Sequence, residues 1–167
     1  MKTLGIEWQR LLDEQQKTCP RCGSTEQEVE KAVTSLKKEL AIYGIDVTLR
    51  KKAIDQETFR KDAVQSNKIM IEGKTLEEWL GAATGQSKCC EACGDAECRT
   101  VEYGGQSHEA IPADLIVIAL ITLRSCLACP DESLVLFPQP VHGFVQSTQV
   151  LEGIRQTLVI FRSDVPE

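Results

Sequence analysis

The stretch that decides the fold runs from Leu4-Gly5-Ile6-Glu7-Trp8 through Cys19-Pro20-Arg21-Cys22-Gly23 to Val29, Val33, Leu36 and Leu40. Leu4, Ile6 and Trp8 alternate with polar neighbours, the period of a half-buried strand. The four aliphatic residues from Val29 onward recur at helical spacing. Thr25, with Glu28 three residues later, predicts a capping box at the helix start, because the hydroxyl and the carboxylate each satisfy an orphan backbone amide. Gly44 supplies the stop. The two cysteines therefore fall between a strand and an amphipathic helix.

Further along, Ile45, Val47 and Leu49 alternate as a second strand, and Asp55 caps a short helix through Phe59 and Ala63. Ile69-Met70-Ile71 reads as a third strand, ended by Gly73-Lys74. Thr75 and Glu78 form a second capping box before Leu76, Trp79 and Leu80. Thr100 to Tyr103 gives a fourth strand before the turn Gly104-Gly105. Pro112 suits the first position of an apolar helix through Leu115, Ile116, Ala119 and Leu123. The order β-α-β-α-β-(insert)-β-α predicts an α/β sheet with helices packed on its faces. Residues 1–124 form the expected domain, with a cysteine-rich insert at about 86–99, and residues 125–167 form a C-terminal extension of unknown role. Trp8 and Trp79 are expected in the core, and Arg50-Lys51-Lys52 at a solvated strand end.

The chain has 167 residues, of which 42% are hydrophobic and 26% charged, which suits a packed core rather than disorder. Its 19 basic and 25 acidic residues give a net charge of −6, the wrong sign for a nucleic-acid partner. The N-terminus lacks the apolar run of a signal peptide, and the run from Leu115 to Leu123 falls short of the roughly 20 residues a membrane helix needs. A cytoplasmic protein without membrane contact is the expectation. There, stable disulfides are rare and CxxC pairs do chemistry or hold metal. The 8 cysteines cluster accordingly: Cys19 and Cys22; Cys89, Cys90, Cys93 and Cys98; Cys126 and Cys129.

Cys19-Pro20-Arg21-Cys22 has the spacing of a dithiol that closes and opens across one turn. A helix start beyond it and the Arg21 charge favour a thiolate. Cys19 is then the attacking sulfur and the more sheltered Cys22 the resolving one.

The order of strand, Cys19-Pro20-Arg21-Cys22, helix, strand, helix, then Ser66-Asn67-Lys68-Ile69-Met70-Ile71-Glu72-Gly73-Lys74, resembles the thioredoxin-like superfamily, and within it the glutaredoxin-type CPxC arrangement. The cysteine-rich insert with Cys98-Arg99-Thr100-Val101 is similar to an uncharacterised prokaryotic family of thioredoxin-like proteins. The resemblance covers roughly residues 3–74 and 100–123. It implies a thioredoxin-like fold, a catalytic Cys19/Cys22 pair, a protein or small-molecule disulfide as substrate, and no cofactor for the exchange itself. It also implies a substrate-binding slot before the third strand, where such proteins carry a cis-proline. Here Ser66 and Asn67 occupy that slot, and their peptide bond is expected to be trans. Without the proline, metal capture at Cys19 and Cys22 becomes more plausible.

Cys89, Cys90, Cys93 and Cys98 lie within ten residues and can supply all four ligands of Zn²⁺ or an iron–sulfur cluster. Two other arrangements stay open. Cys90 and Cys93 could join Cys19 and Cys22 in one CxxC…CxxC site, or the cluster could relay electrons to Cys19 and Cys22. Cys126 and Cys129, next to Asp131 and Glu132, read as structural thiols; His108 is a weaker candidate ligand and His142 weaker still. Two functions compete: a thiol–disulfide oxidoreductase using the CPRC dithiol, and a non-catalytic binder of thiophilic metals or metalloids.

Overall fold

Strand β1 (Lys2–Leu11) places Leu4, Ile6 and Trp8 on one face, as the alternation predicts, and all three are buried. It pairs in parallel with β2 (Ile45–Ile54), Leu4 opposite Val47 and Ile6 opposite Leu49. On its other edge it runs antiparallel to β3 (Lys68–Ile71), with Trp8 opposite Ile69 and Ile6 opposite Ile71. The two-residue strand β4 (Lys74–Thr75) folds back on β3, giving the order β2-β1-β3-β4. A parallel pair cannot be joined by a tight turn, and helix α1 (Pro20–Ala41) makes the crossover. The computed structural model describes residues 2–89 and 93–127, with side chains as far as Leu123; Cys90, Cys129 and most of the expected extension lie outside the described residues.

Helix α1 begins at Pro20, not at Thr25. Cys19 is its N-cap, and Pro20 fits the first helical position because its missing N–H would find no partner there. The capping box expected at Thr25 and Glu28 does not form. Both residues are inside the helix, and each reaches across to another element instead. Thr25 Oγ1 accepts a hydrogen bond from Ile111 N at 3.2 Å, and Glu28 Oε2 accepts one from Ala113 N at 2.9 Å. Ala113 opens helix α4 (Ala113–Leu127), so Glu28 satisfies an orphan amide of a neighbouring helix. The second capping box forms as read: Thr75 and Glu78 bond reciprocally at the start of helix α3 (Leu76–Leu80). Asp55 likewise caps helix α2 (Gln56–Lys61) through Thr58 N.

After α3 the chain departs from a single sheet. Strand β5 (Ala83–Lys88) pairs antiparallel with β6 (Glu97–Tyr103), and β6 with β7 (Gln106–His108). The strand expected at Thr100–Tyr103 thus belongs to a second, three-stranded sheet, and the cysteine-rich insert is the connection of its first hairpin. Among the described residues the result is a mixed α/β structure with two sheets and four helices. Among the described residues no helix is long and apolar enough to cross a membrane.

Two clusters of buried residues hold the molecule. The larger joins Ile6, Trp8, Val29, Leu36, Val47, Ile71, Ile116 and Leu120 between the first sheet and helices α1 and α4. The smaller lies at the carboxyl ends of β1 and β2, where Leu11 and Ile54 meet Phe59 of α2 and Cys98 of β6. Trp8 is buried and Trp79 half-buried, with Trp79 Nε1 donating to Ile71 O. The basic run is neutralised locally: Arg50 pairs with Glu7, Lys51 with Glu26 and Glu30, and Lys52 with Glu7.

Candidate metal centre

Cys19 caps α1 at the carboxyl end of β1, where open α/β sheets tend to place their ligands. Its backbone carbonyl accepts the first helical hydrogen bond, from Gly23 N at 2.8 Å, and its side chain makes no cap bond. The sulfur is turned toward the second sheet instead and lies 3.7 Å from Cys89 Sγ, just past the end of β5. Cys93 completes the group: the sulfurs of Cys19, Cys89 and Cys93 all lie within 4.8 Å of one another. Cys89 and Cys93, together with Ala96, pack on the smaller core, so an apolar base supports two of the three thiols.

Cys22 is one helical turn on from Cys19. It is buried and lies 3.7 Å from Ser66 Oγ. Its thiol is pushed well up from the ordinary value, first by the hydrogen bond with Cys19, then by burial and by charge at Cys19. Burial, followed by the hydrogen bond with Cys89, raises Cys93. The thiol of Cys98 is pushed up to about 12, again by burial first and the Cys89 contact second. Burial and hydrogen bonding to a neighbouring thiol act on all three, and each sulfur that ionises also makes ionisation of its neighbours costlier. A cation placed among them removes that penalty, and its binding displaces thiol protons.

A brace holds the two halves of the group together. The guanidinium of Arg21, next to Cys19, donates to Ser87 Oγ, to the carbonyls of Ser87 and Lys88, and pairs with Glu109 Oε1 at 2.7 Å. Ser87 Oγ in turn donates to Glu109 Oε1 at 2.8 Å. Ser87 and Lys88 immediately precede Cys89, so Arg21 fixes the end of β5 against the start of α1. The hydrogen bond from Ser87 and the charge of Arg21 hold the Glu109 carboxyl below its ordinary value.

Ser66 and Asn67 sit before β3 as expected, and no cis peptide bond occurs among the described residues. Their side chains go separate ways. Ser66 is buried between Cys22 and β1, its Oγ accepting from Leu11 N at 3.0 Å. Asn67 has a positive φ of 61°, a conformation its short amide side chain tolerates. It is fully buried, accepts from Trp8 Nε1, and donates to Glu109 O at 3.0 Å. Glu109 is thus held at its carbonyl by Asn67 and at its carboxylate by Arg21 and Ser87.

Of the four insert cysteines read as one metal set, the structure brings Cys89 and Cys93 together with Cys19, which that set omitted. Cys98 is buried behind them and outside the three-sulfur group; Cys90 lies outside the described residues. The arrangement is nearest to the shared-site alternative, with Cys89 present beside Cys93. Sequence reasoning missed the brace. Arg21 stood out only as a charge near the dithiol, and nothing in Ser87 or Glu109 marked them as its partners.

A family described as a domain of unknown function (DUF2703) matches residues 4–120. An "Uncharacterized protein" of Archaeoglobus fulgidus is 41% identical over 113 residues, covering 68% of this chain and 82% of that protein. No solved structure matches. The matched family region holds all three sulfurs of the group as well as Cys22 and Cys98, and ends before Cys126 and Cys129.

Proposed function

The chain belongs to the DUF2703 family, and we propose that it binds a thiophilic metal ion through Cys19, Cys89 and Cys93. The observation that carries this reading is the convergence of three sulfurs, from two elements about seventy residues apart in sequence, to within 4.8 Å of one another. Thiolates select soft or borderline ions such as Zn²⁺, Cu⁺, Cd²⁺ or a trivalent metalloid. Three protein ligands leave a position open, the pattern of a site that exchanges a ligand rather than a closed structural site. The positive end of α1 and the nearby Arg21 favour negative charge on the sulfurs. Protein purified anaerobically is expected to carry, or take up, stoichiometric Zn²⁺ or Cd²⁺ by elemental analysis. Cys19→Ala, Cys89→Ala and Cys93→Ala should each lose it. Folded protein that takes up no ion would refute the reading.

A second reading, thiol–disulfide exchange in a thioredoxin-like fold, has its own support. The strand order β2-β1-β3-β4, with a crossover helix opening on a half-exposed Cys19 and a buried Cys22, suits an attacking and a resolving thiol. It predicts that reduced protein reduces a model disulfide and that Cys19→Ser abolishes this activity.

A further inference from the structure

Two pairings meet on Cys19. On one side it lies 3.7 Å from Cys89 and within 4.8 Å of Cys93. On the other it is the N-cap of the helix whose first turn carries Cys22, with only Pro20 and Arg21 between them. Cys22 does not belong to the three-sulfur group; it lies beneath, only 1% exposed, against Ser66. One sulfur is therefore both a proposed metal ligand and half of a CxxC dithiol. It cannot serve in both capacities at once, because a disulfide sulfur has lost the thiolate charge that makes it a ligand.

We propose that closure of a Cys19–Cys22 disulfide expels the bound ion, making the dithiol a redox gate on the metal centre; this rests on the metal-binding reading above. The oxidant is a small-molecule disulfide, RSSR. Cys19 Sγ attacks one sulfur of RSSR, forming a Cys19–SR bond and releasing the first RS⁻ with its electron pair. Cys22 Sγ gives up its proton and attacks Cys19 Sγ, forming the internal disulfide and releasing the second RS⁻, which takes up that proton. The protein has lost two electrons and RSSR has gained them. The ion keeps Cys89 and Cys93 alone and dissociates. Cys22 is suited to the resolving step because Cys89 and Cys93 are occupied by the ion while Cys22 is not a ligand. A dithiol reductant reverses the sequence and restores the site.

The test uses the full chain loaded anaerobically with Cd²⁺, treated with bis(2-hydroxyethyl) disulfide, and followed by a chromophoric chelator and by peptide mapping. The expected result is release of the bound Cd²⁺ in step with a Cys19–Cys22 linkage, and rebinding after reduction. Cys22→Ser, or Cys22→Ala if the serine variant is poorly folded, should stop at the Cys19–SR mixed disulfide. Added RSH, at a concentration that leaves the internal disulfide intact, should then restore Cd²⁺ binding in the variant alone. Bound Cd²⁺ that survives formation of the Cys19–Cys22 linkage would overturn the gate while leaving the metal reading intact. So would release through a Cys19–Cys89 linkage, or Cd²⁺ rebinding under added RSH that is the same in the Cys22 variants and the unaltered chain. Reduced protein that takes up no Cd²⁺ overturns both.

Discussion

At Glu109 a single residue is bonded to both sides of the sulfur group: Asn67 takes its carbonyl, while Arg21 and Ser87 take its carboxylate. None of these is a proposed ligand, yet together they set where Cys19 and Cys89 stand. Residues that orient ligands commonly matter to affinity, and Arg21→Ala should weaken Cd²⁺ binding about 10- to 100-fold in a competition titration. An effect confined to thermal stability would mean the brace is only structural. Glu109 also gives the region an acid limb. Its carboxyl sits below its ordinary value in the folded chain, so the folded state binds fewer protons than the unfolded one as pH falls through the glutamate range. The stability it contributes is present above that range and is lost as pH falls through the lowered value. Glu109→Gln should flatten the acid side of a plot of melting temperature against pH, and an unchanged slope would contradict the assignment.

The elements that position the site were legible to different degrees. Alternation of Leu4, Ile6 and Trp8 and the helical spacing of Val29 to Leu40 were strong signals, because both sets are buried on one face. The start of α1 was not. Thr25-x-x-Glu28 has the form of a capping box, but the same two side chains serve equally well as long-range acceptors, and spacing alone does not distinguish the uses. Pro20, ideal at a first helical position, was the better signal. The second sheet was missed because β5, Ala83-Thr84-Gly85-Gln86-Ser87-Lys88, is polar and mostly exposed and shows no apolar alternation. The three-sulfur group was only half visible, since two sequence clusters met through a register that neither encodes. If Glu28 holds the first turn of α4, Glu28→Ala should destabilise the protein by about 1 kcal/mol in denaturant unfolding, the usual cost of a lost cap. A change indistinguishable from zero would show that water replaces the carboxylate.

At the scale of the whole molecule, a buried ion pair ties helix α3 to the second sheet. Arg99 on β6 meets Glu77 on α3 at 2.7 Å and also bonds Val64 O and Thr84 Oγ1, while Glu77 Oε2 has no hydrogen-bond partner among the described residues. Removing one partner strands a buried charge, so Arg99→Ala should cost about 3–5 kcal/mol, whereas Arg99→Met with Glu77→Leu should cost much less. Equal losses in the single and double variants would show that Arg99 acts through its backbone contacts and not through the pair. Because β6 leads back from the cysteine connection, loosening this joint should also loosen the sulfur group. The central claim is that the fold brings Cys89 and Cys93 to Cys19 to hold a thiophilic ion, and X-ray absorption of the anaerobic Zn²⁺-loaded protein tests it most directly. The account predicts a single ion per chain, with a first shell dominated by sulfur that loses sulfur in Cys19→Ala. A shell of nitrogen and oxygen, or one unchanged by that substitution, would contradict it.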